Sequence, residues 1–274
     1  MTMLFMKKKY QLERFFVTWL MILFMILTDA FTAFAQVKQA TFLVNGISCD
    51  LEQGILKVEF VTPDVVRVQY TGENTFIGNG TDVCLPRAVD NPVRWVYTPN
   101  PDCYLLKSDS LIVRVDLSTA SITYLDKEGG LLLQEDQNIP RISEKRVTKQ
   151  VIYDEHSKHI EKTADGDKEI KNVLRYDTIG HTWKYRINFK WQPLEALYGW
   201  GAHMEDYMNL RGKELYLCQH NLKAMVPVLN STAGYGLLFD AGCAMMFKDS
   251  SEGSFVELEA AKQIDYYFMK GKTM

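Results

Sequence analysis

Apolar residues recur at every second position along most of this chain, and the 3.6-residue helical period is hard to find. That period constrains the fold more than any other feature. Residues 55–61 (ILKVEFV) and 65–70 (VVRVQY) alternate on either side of Thr62-Pro63-Asp64, where Pro63 fixes φ for a turn. Residues 111–117 (LIVRVDL) and 121–125 (SITYL) flank Ser118-Thr119-Ala120, and residues 126–130 close the next turn. Residues 185–191 (YRINFKW) alternate again. Short strands at this spacing predict an all-β sandwich or barrel. Residues 141–181 are the least apolar stretch and read in two ways: an inserted loop, or an exposed hairpin turning at Asp165-Gly166. Alternation at Val151-Ile152-Tyr153 and at Val173-Leu174-Arg175-Tyr176 favours a long protruding hairpin. No Pro- or Ser-rich linker and no fixed-period repeat interrupts the chain, so residues 36–274 are expected to form one domain.

The first 35 residues read differently. Lys7, Lys8, Lys9 and Arg14 precede an apolar run over residues 15–27, and Ala33-Phe34-Ala35 offers small residues at a cleavage site before Gln36. This is the pattern of a secretory signal peptide, with Met6 as an alternative start. The run is shorter than the roughly 20 apolar residues of a membrane span. The expectation is therefore a secreted or periplasmic protein, with no membrane attachment after cleavage. Removal of the leader takes away four basic and two acidic residues, leaving 27 basic against 32 acidic, a net charge of −5. A mildly acidic chain lacks the clustered Lys and Arg that nucleic acid requires, so neutral substrates such as sugars fit better. Cys49, Cys84, Cys103, Cys218 and Cys243 are odd in number and match no metal-binding spacing. They are expected to be mostly small buried residues. Asn79-Gly80-Thr81 and Asn230-Ser231-Thr232 have the form of glycosylation sequons.

The chemically suggestive residues gather between positions 198 and 247. Gly199 and Gly201 bracket Trp200, and a loop with His203, Glu205, Asp206, Asn209 and Arg211 follows. Trp95, Trp183 and Trp191 are expected in the core; Trp200, flanked by glycines beside polar residues, is the one singled out to stack on a sugar. Glu205 and Asp206 are adjacent and cannot straddle a glycosidic bond without a sharp turn, so an ordering role competes with a substrate-facing one. Gln219-His220-Asn221 reads as part of an alternating strand in which Gln219 and Asn221 share a face. Their amides suit vicinal hydroxyls, or else they satisfy backbone groups at a strand end. His156 and His159 would point to opposite faces of a strand, so no metal site and no cofactor is assigned. Gly234-Tyr235-Gly236 reads as a turn with a close backbone approach.

An ordered series of short pieces carries a family resemblance: Leu197-Tyr198-Gly199-Trp200-Gly201, Asn209-Leu210-Arg211-Gly212-Lys213, Gln219-His220-Asn221, Val226-Pro227, residues 234–240 (GYGLLFD) and Tyr266-Tyr267-Phe268. Over residues 185–268 the chain resembles the N-terminal β-sandwich of glycoside hydrolase family 31, the α-glucosidase and α-xylosidase family. The resemblance implies a galactose-mutarotase-like sandwich packed beside a catalytic (β/α)8 barrel, with α-linked oligosaccharides as ligands. In such enzymes the barrel supplies the nucleophile and the acid/base carboxyl, and a loop of the sandwich completes the glycone pocket. The position matching that loop's sugar contact is Asn221, where many members carry Asp. No barrel strand or nucleophile motif occurs in the 274 residues, so no catalytic residue is assigned and the piece is expected to be inactive alone. Gln219, Trp200, Glu205, Asp206 and Arg211 join Asn221 as expected substrate contacts. A free-standing carbohydrate-binding module using Trp200, and a mutarotase-like epimerase using His203 with Glu205, are the rival readings.

Overall fold

The computed structural model describes residues 36–78 and 92–271. The expected leader, the Asn79 sequon and Cys84 lie outside the described residues. The alternating segments are strands, as the sequence period requires. β1 (Val37–Leu43), β2 (Gly46–Leu51), β3 (Ile55–Thr62) and β4 (Val65–Thr71) form an antiparallel meander. A second meander comprises β5 (Trp95–Pro99), β6 (Cys103–Ser108), β7 (Leu111–Asp116), β8 (Ile122–Asp126) and β9 (Leu131–Glu135). β10 (Arg141–Tyr153), β11 (His159–Thr163), β12 (Gly166–Ile170) and β13 (Val173–Lys190) follow. β10 and β13 pair along their length as the expected hairpin, and β11 and β12 form a separate ribbon between them. The ribbon turns at Ala164-Asp165, one residue earlier than expected, because Gly166 already pairs with Thr163.

The remaining strands close the fold: β14 (Leu197–Gly199), β15 (Glu214–Leu217), β16 (Val228–Ser231), β17 (Tyr235–Phe239), β18 (Met245–Ser250), β19 (Gly253–Ala261) and β20 (Ile264–Lys270). One sheet runs β1-β2-β3-β4-β20-β17-β16-β14, and the other β15-β18-β19-β13-β9-β8-β7-β6-β5, with β10 also on β13. Their inner faces meet in a sandwich core. Tyr124 of β8 stacks on Phe268 of β20 at 4.0 Å between centroids, and Phe189 of β13 meets Tyr266 edge-on at 6.2 Å. Side chains of this size each contribute about 2–3 kcal/mol when removed from water, and such aromatic pairs add to that.

A polar knot crosses the core. Glu135 is fully buried and accepts from the Ile122 amide at 2.9 Å and from the Tyr266 hydroxyl at 3.1 Å. Arg141 donates to both of its carboxylate oxygens at 2.9 Å and to the Ala120 carbonyl. The Tyr124 and Tyr266 hydroxyls lie 2.9 Å apart and complete the network. Burial pushes the Glu135 carboxyl up, and Arg141 and the other donors only partly oppose it. Six residues apart across the β9–β10 connection, the two charges are paired in a place where an unpaired charge would be very costly, although Arg141 Nε has no hydrogen-bond partner among the described residues.

Candidate functional site

β14 and β15 are the terminal strands of the two sheets at the same side of the sandwich. The chain between them, residues 200–213, and the return from β15 to β16, residues 218–227, therefore both span the open edge between sheets. These two loops carry the polar cluster noted in the sequence. An antiparallel bridge joins them: the Ala202 amide donates to the Ala224 carbonyl at 2.9 Å, and the Ala224 amide to the Ala202 carbonyl at 3.0 Å.

The Gly-Trp-Gly segment is not a sugar platform. Gly199, Trp200 and Gly201 have φ values of 136°, 63° and 83°, three successive residues in a region that L side chains rarely adopt. A Cβ at Gly199 would collide with the Val228 carbonyl oxygen, and one at Gly201 with that of Ala224. The glycines thus allow the chain to invert, and the inversion turns the indole inward. Trp200 is 0% exposed and packs on Phe239 of one sheet and Phe247 of the other, at 5.8 and 5.9 Å. It plugs the sandwich edge, which corrects the expectation of a stacking contact. The carbohydrate-binding-module reading loses its platform with it.

Arg211 is a second correction. Its Nε donates to Asp249 Oδ2 at 2.9 Å, and its Nη1 to the carbonyls of Gln192 and Glu195 at 2.8 and 3.1 Å. The guanidinium faces a different groove, beside Trp191 and Lys248, and ties the loop to β18. Asp249 also receives the Gly212 amide at 2.6 Å and the Ser254 hydroxyl. Burial pushes the Asp249 carboxyl up, but Ser254, Gly212 and Arg211 outweigh it and hold it below the ordinary carboxylate range. Nearby, Glu195 is buried and accepts from the Tyr235 hydroxyl at 2.9 Å and from Ser231 and the Gln192 amide. Tyr235 of the Gly-Tyr-Gly turn is thus a core residue.

Gln219-His220-Asn221 is a turn rather than a strand. β15 ends at Leu217, and the Lys223 amide donates to the His220 carbonyl at 3.0 Å, closing a four-residue turn with Asn221 and Leu222 at its tip. The Gln219 side chain holds the turn from inside: its amide nitrogen donates to the Lys223 carbonyl at 2.6 Å, and its oxygen accepts from the Met225 amide at 3.0 Å. The structural alternative therefore describes Gln219. Asn221 is exposed, and its side chain makes no hydrogen bond among the described residues. It borders an open hollow of about 660 Å³ between Ala202 and Met204 on one side and residues 219–224 on the other.

Glu205 does not line this hollow but a neighbouring one of about 280 Å³, with His203, Tyr207 and Met208. Its Oε1 accepts from Lys223 Nζ at 2.6 Å, and its Oε2 lies 3.0 Å from His203 Nδ1 in an electrostatic contact without hydrogen-bond alignment. Lys223 above all, with His203, holds its carboxyl below the usual range. The acid and base that an epimerase would need are engaged with one another and with Lys223. Asp206 is exposed and makes no side-chain bond among the described residues. Lys223, which ties one loop to the other, had no signal in the sequence: a lone Lys and a lone Glu 18 positions apart pair only through the fold. Met204, Met208 and Leu222 stand 67%, 80% and 65% exposed around the same loops, an apolar rim beside a polar turn.

Comparison with known proteins gives the family of this two-sheet sandwich. The chain belongs to the Glycosyl hydrolase 31 N-terminal galactose mutarotase-like domain family, whose model matches residues 55–247. It is 22% identical over 228 residues to an alpha-xylosidase of Saccharolobus solfataricus, covering 80% of this chain and 26% of that protein. It is 30% identical over 98 residues to an uncharacterized family 31 glucosidase, ORF2, of Pseudescherichia vulneris, covering 35% of this chain and 18% of that protein. Among solved structures it is similar to a Flavobacterium johnsoniae GH31 dextranase complexed with isomaltotriose. There the TM-score is 0.64 at 17% identity, over 87% of this chain and 26% of that one. A GH31 alpha-xylosidase from a soil metagenome, complexed with xylose, gives 0.63 at 16% identity, over 86% and 33%. The structural likenesses establish the shared fold. The chain spans about a quarter or less of the length of these two sequence relatives.

Proposed function

We propose that this domain forms one wall of the glycone pocket of an exported retaining α-glycosidase, an α-glucosidase or α-xylosidase. The observation that carries the reading is the Asn221 turn: an unpartnered amide at the tip of a braced loop, in a domain of family 31. An amide donates and accepts together, which suits adjacent hydroxyls of a neutral sugar. The hollow it borders is open, so a second surface must close it. In this reading a (β/α)8 barrel packs on the apolar rim at Met204, Met208 and Leu222 and brings both catalytic carboxyls. Retaining cleavage needs two carboxyl groups about 5–5.5 Å apart, flanking the bond. Glu205 is engaged with Lys223, and Asp206 is its neighbour in the chain, so the domain alone is expected to be inactive. The relatives' names and bound sugars support α-linked glucose or xylose as the ligand class. Export rests on the leader, with its basic residues 7–9 and its Ala33-Phe34-Ala35 site.

The test is complementation. A family 31 barrel lacking its own sandwich is assayed on chromogenic α-glucoside and α-xyloside with and without this chain. Restored hydrolysis by the native chain, reduced for Asn221→Ala, is the expected result. Failure to restore any turnover although the two associate would overturn the reading.

A further inference from the structure

We propose that Glu205 is a latch: its ion pair with Lys223 holds the Asn221 turn against the loop that follows Trp200, making Glu205 a positioning residue rather than a sugar ligand. The bridge between Ala202 and Ala224 pins the backbone of the two loops at the residue after Lys223 and leaves the turn itself, residues 220–223, outside it. Beyond that bridge, the side-chain hydrogen bond that reaches from one loop to the other, among the described residues, is Lys223 Nζ on Glu205 Oε1 at 2.6 Å. Lys223 is anchored at both ends, its carbonyl by the Gln219 amide and its ammonium by Glu205. The turn carrying Asn221 is thus fixed to a side chain of the opposite loop.

The surroundings make the carboxylate hard to replace. The side chains of Lys223 and Glu205 are 16% and 29% exposed, so water screens the pair only in part. His203, 10% exposed, lies on the other carboxylate oxygen, so two basic side chains flank one acid. Without the carboxylate charge, the Lys223 ammonium would sit largely shielded with no counter-charge. It would swing to water and take the Lys223 end of the turn with it. The backbone around Glu205 gives little other support: the Tyr207 amide donates to the Glu205 carbonyl at 2.8 Å, and the Tyr207 hydroxyl reaches the Glu214 carbonyl at 3.3 Å.

Only the consequence for sugar binding rests on the function proposed above; the latch stands on geometry. Amide hydrogen exchange on the full chain therefore tests it without any ligand. In Glu205→Gln and in Lys223→Met, the Ala224 and Met225 amides should exchange about fivefold faster, while core amides such as Leu237 and Phe268 keep their protection. The charge-reversed double variant, Glu205→Lys with Lys223→Glu, should recover most of the protection. Unchanged exchange in both single variants would overturn the latch, as would equal loss of protection in the core or failure of the reversed pair to recover. A parallel titration with isomaltose separates the two ideas. Normal exchange effects without any sugar response in the native chain would leave the latch standing and remove the sugar reading.

Discussion

Replacing Trp200 separates a structural plug from a binding platform. The indole is completely buried between Phe239 and Phe247, so Trp200→Ala leaves a cavity bounded by both sheets. Losses of this kind cost about 3–5 kcal/mol, a large share of a typical total of about 5–15 kcal/mol. The backbone provides an internal control. At φ 63° a non-glycine residue carries strain of about 1 kcal/mol, which glycine avoids. Trp200→Gly should therefore be at least as stable as Trp200→Ala, the reverse of the usual order, in which glycine is about 0.5–1 kcal/mol worse. The indole Nε1 has no hydrogen-bond partner among the described residues, so Trp200→Phe forfeits only volume and should cost less than either. The assay is urea unfolding followed by circular dichroism. With a slope of about 2 kcal/mol per M, Trp200→Ala should lower the midpoint by about 2 M. A midpoint shift under about 0.3 M, together with lost sugar binding, would refute the plug and restore the platform.

Three further outcomes follow from the same contacts. Asn221→Ala removes an exposed side chain with no protein partner, so unfolding free energy should stay within about 0.5 kcal/mol of the native chain, with only sugar-dependent signals altered. Arg141→Met leaves the Glu135 carboxyl buried without its cation and should destabilise by about 3–5 kcal/mol, read from thermal and urea unfolding. Asp249 titrates below its unfolded value of about 3.9, so the stability it contributes is present above that value and lost as pH falls through its folded value. Asp249→Asn should flatten that acid limb of the stability–pH profile, and an unchanged limb would show that Arg211 and its neighbours do not hold the carboxylate.

Strands such as β3 and β7 were legible because they face the core with alternate residues, and a period of two survives any arrangement of the sheets. The hairpin over residues 141–190 was legible from short alternating runs and the turn signal at Asp165-Gly166, apart from a one-residue offset at Gly166; only the second half of β13 alternates into the core. What failed was local chemistry decided by distant partners. Gly199 and Gly201 signalled a special backbone, yet only the paths of Val228 and Ala224 show that the special backbone turns Trp200 inward. The alternation of residues 214–217 continues on paper into Gln219 and Asn221, but the Gln219 side chain caps a turn and ends the strand. Arg211 looked available because Asp249, its partner, lies 38 residues away. The same holds for Glu205 and Lys223. Family membership was legible because it rests on an ordered series of short pieces, and order does not depend on knowing what each residue touches.

The central claim is that the turn carrying Asn221 is the sugar-facing wall. Residue-resolved NMR of the isotopically labelled chain, titrated with isomaltose and with xylose, tests it most directly. Saturable shifts should appear at Ala202, Met204 and residues 219–224, and should vanish in Asn221→Ala while the rest of the spectrum is unchanged. Saturable shifts confined to another surface, such as the groove beside Trp191 and Lys248, or shifts that persist undiminished without Asn221, would contradict it.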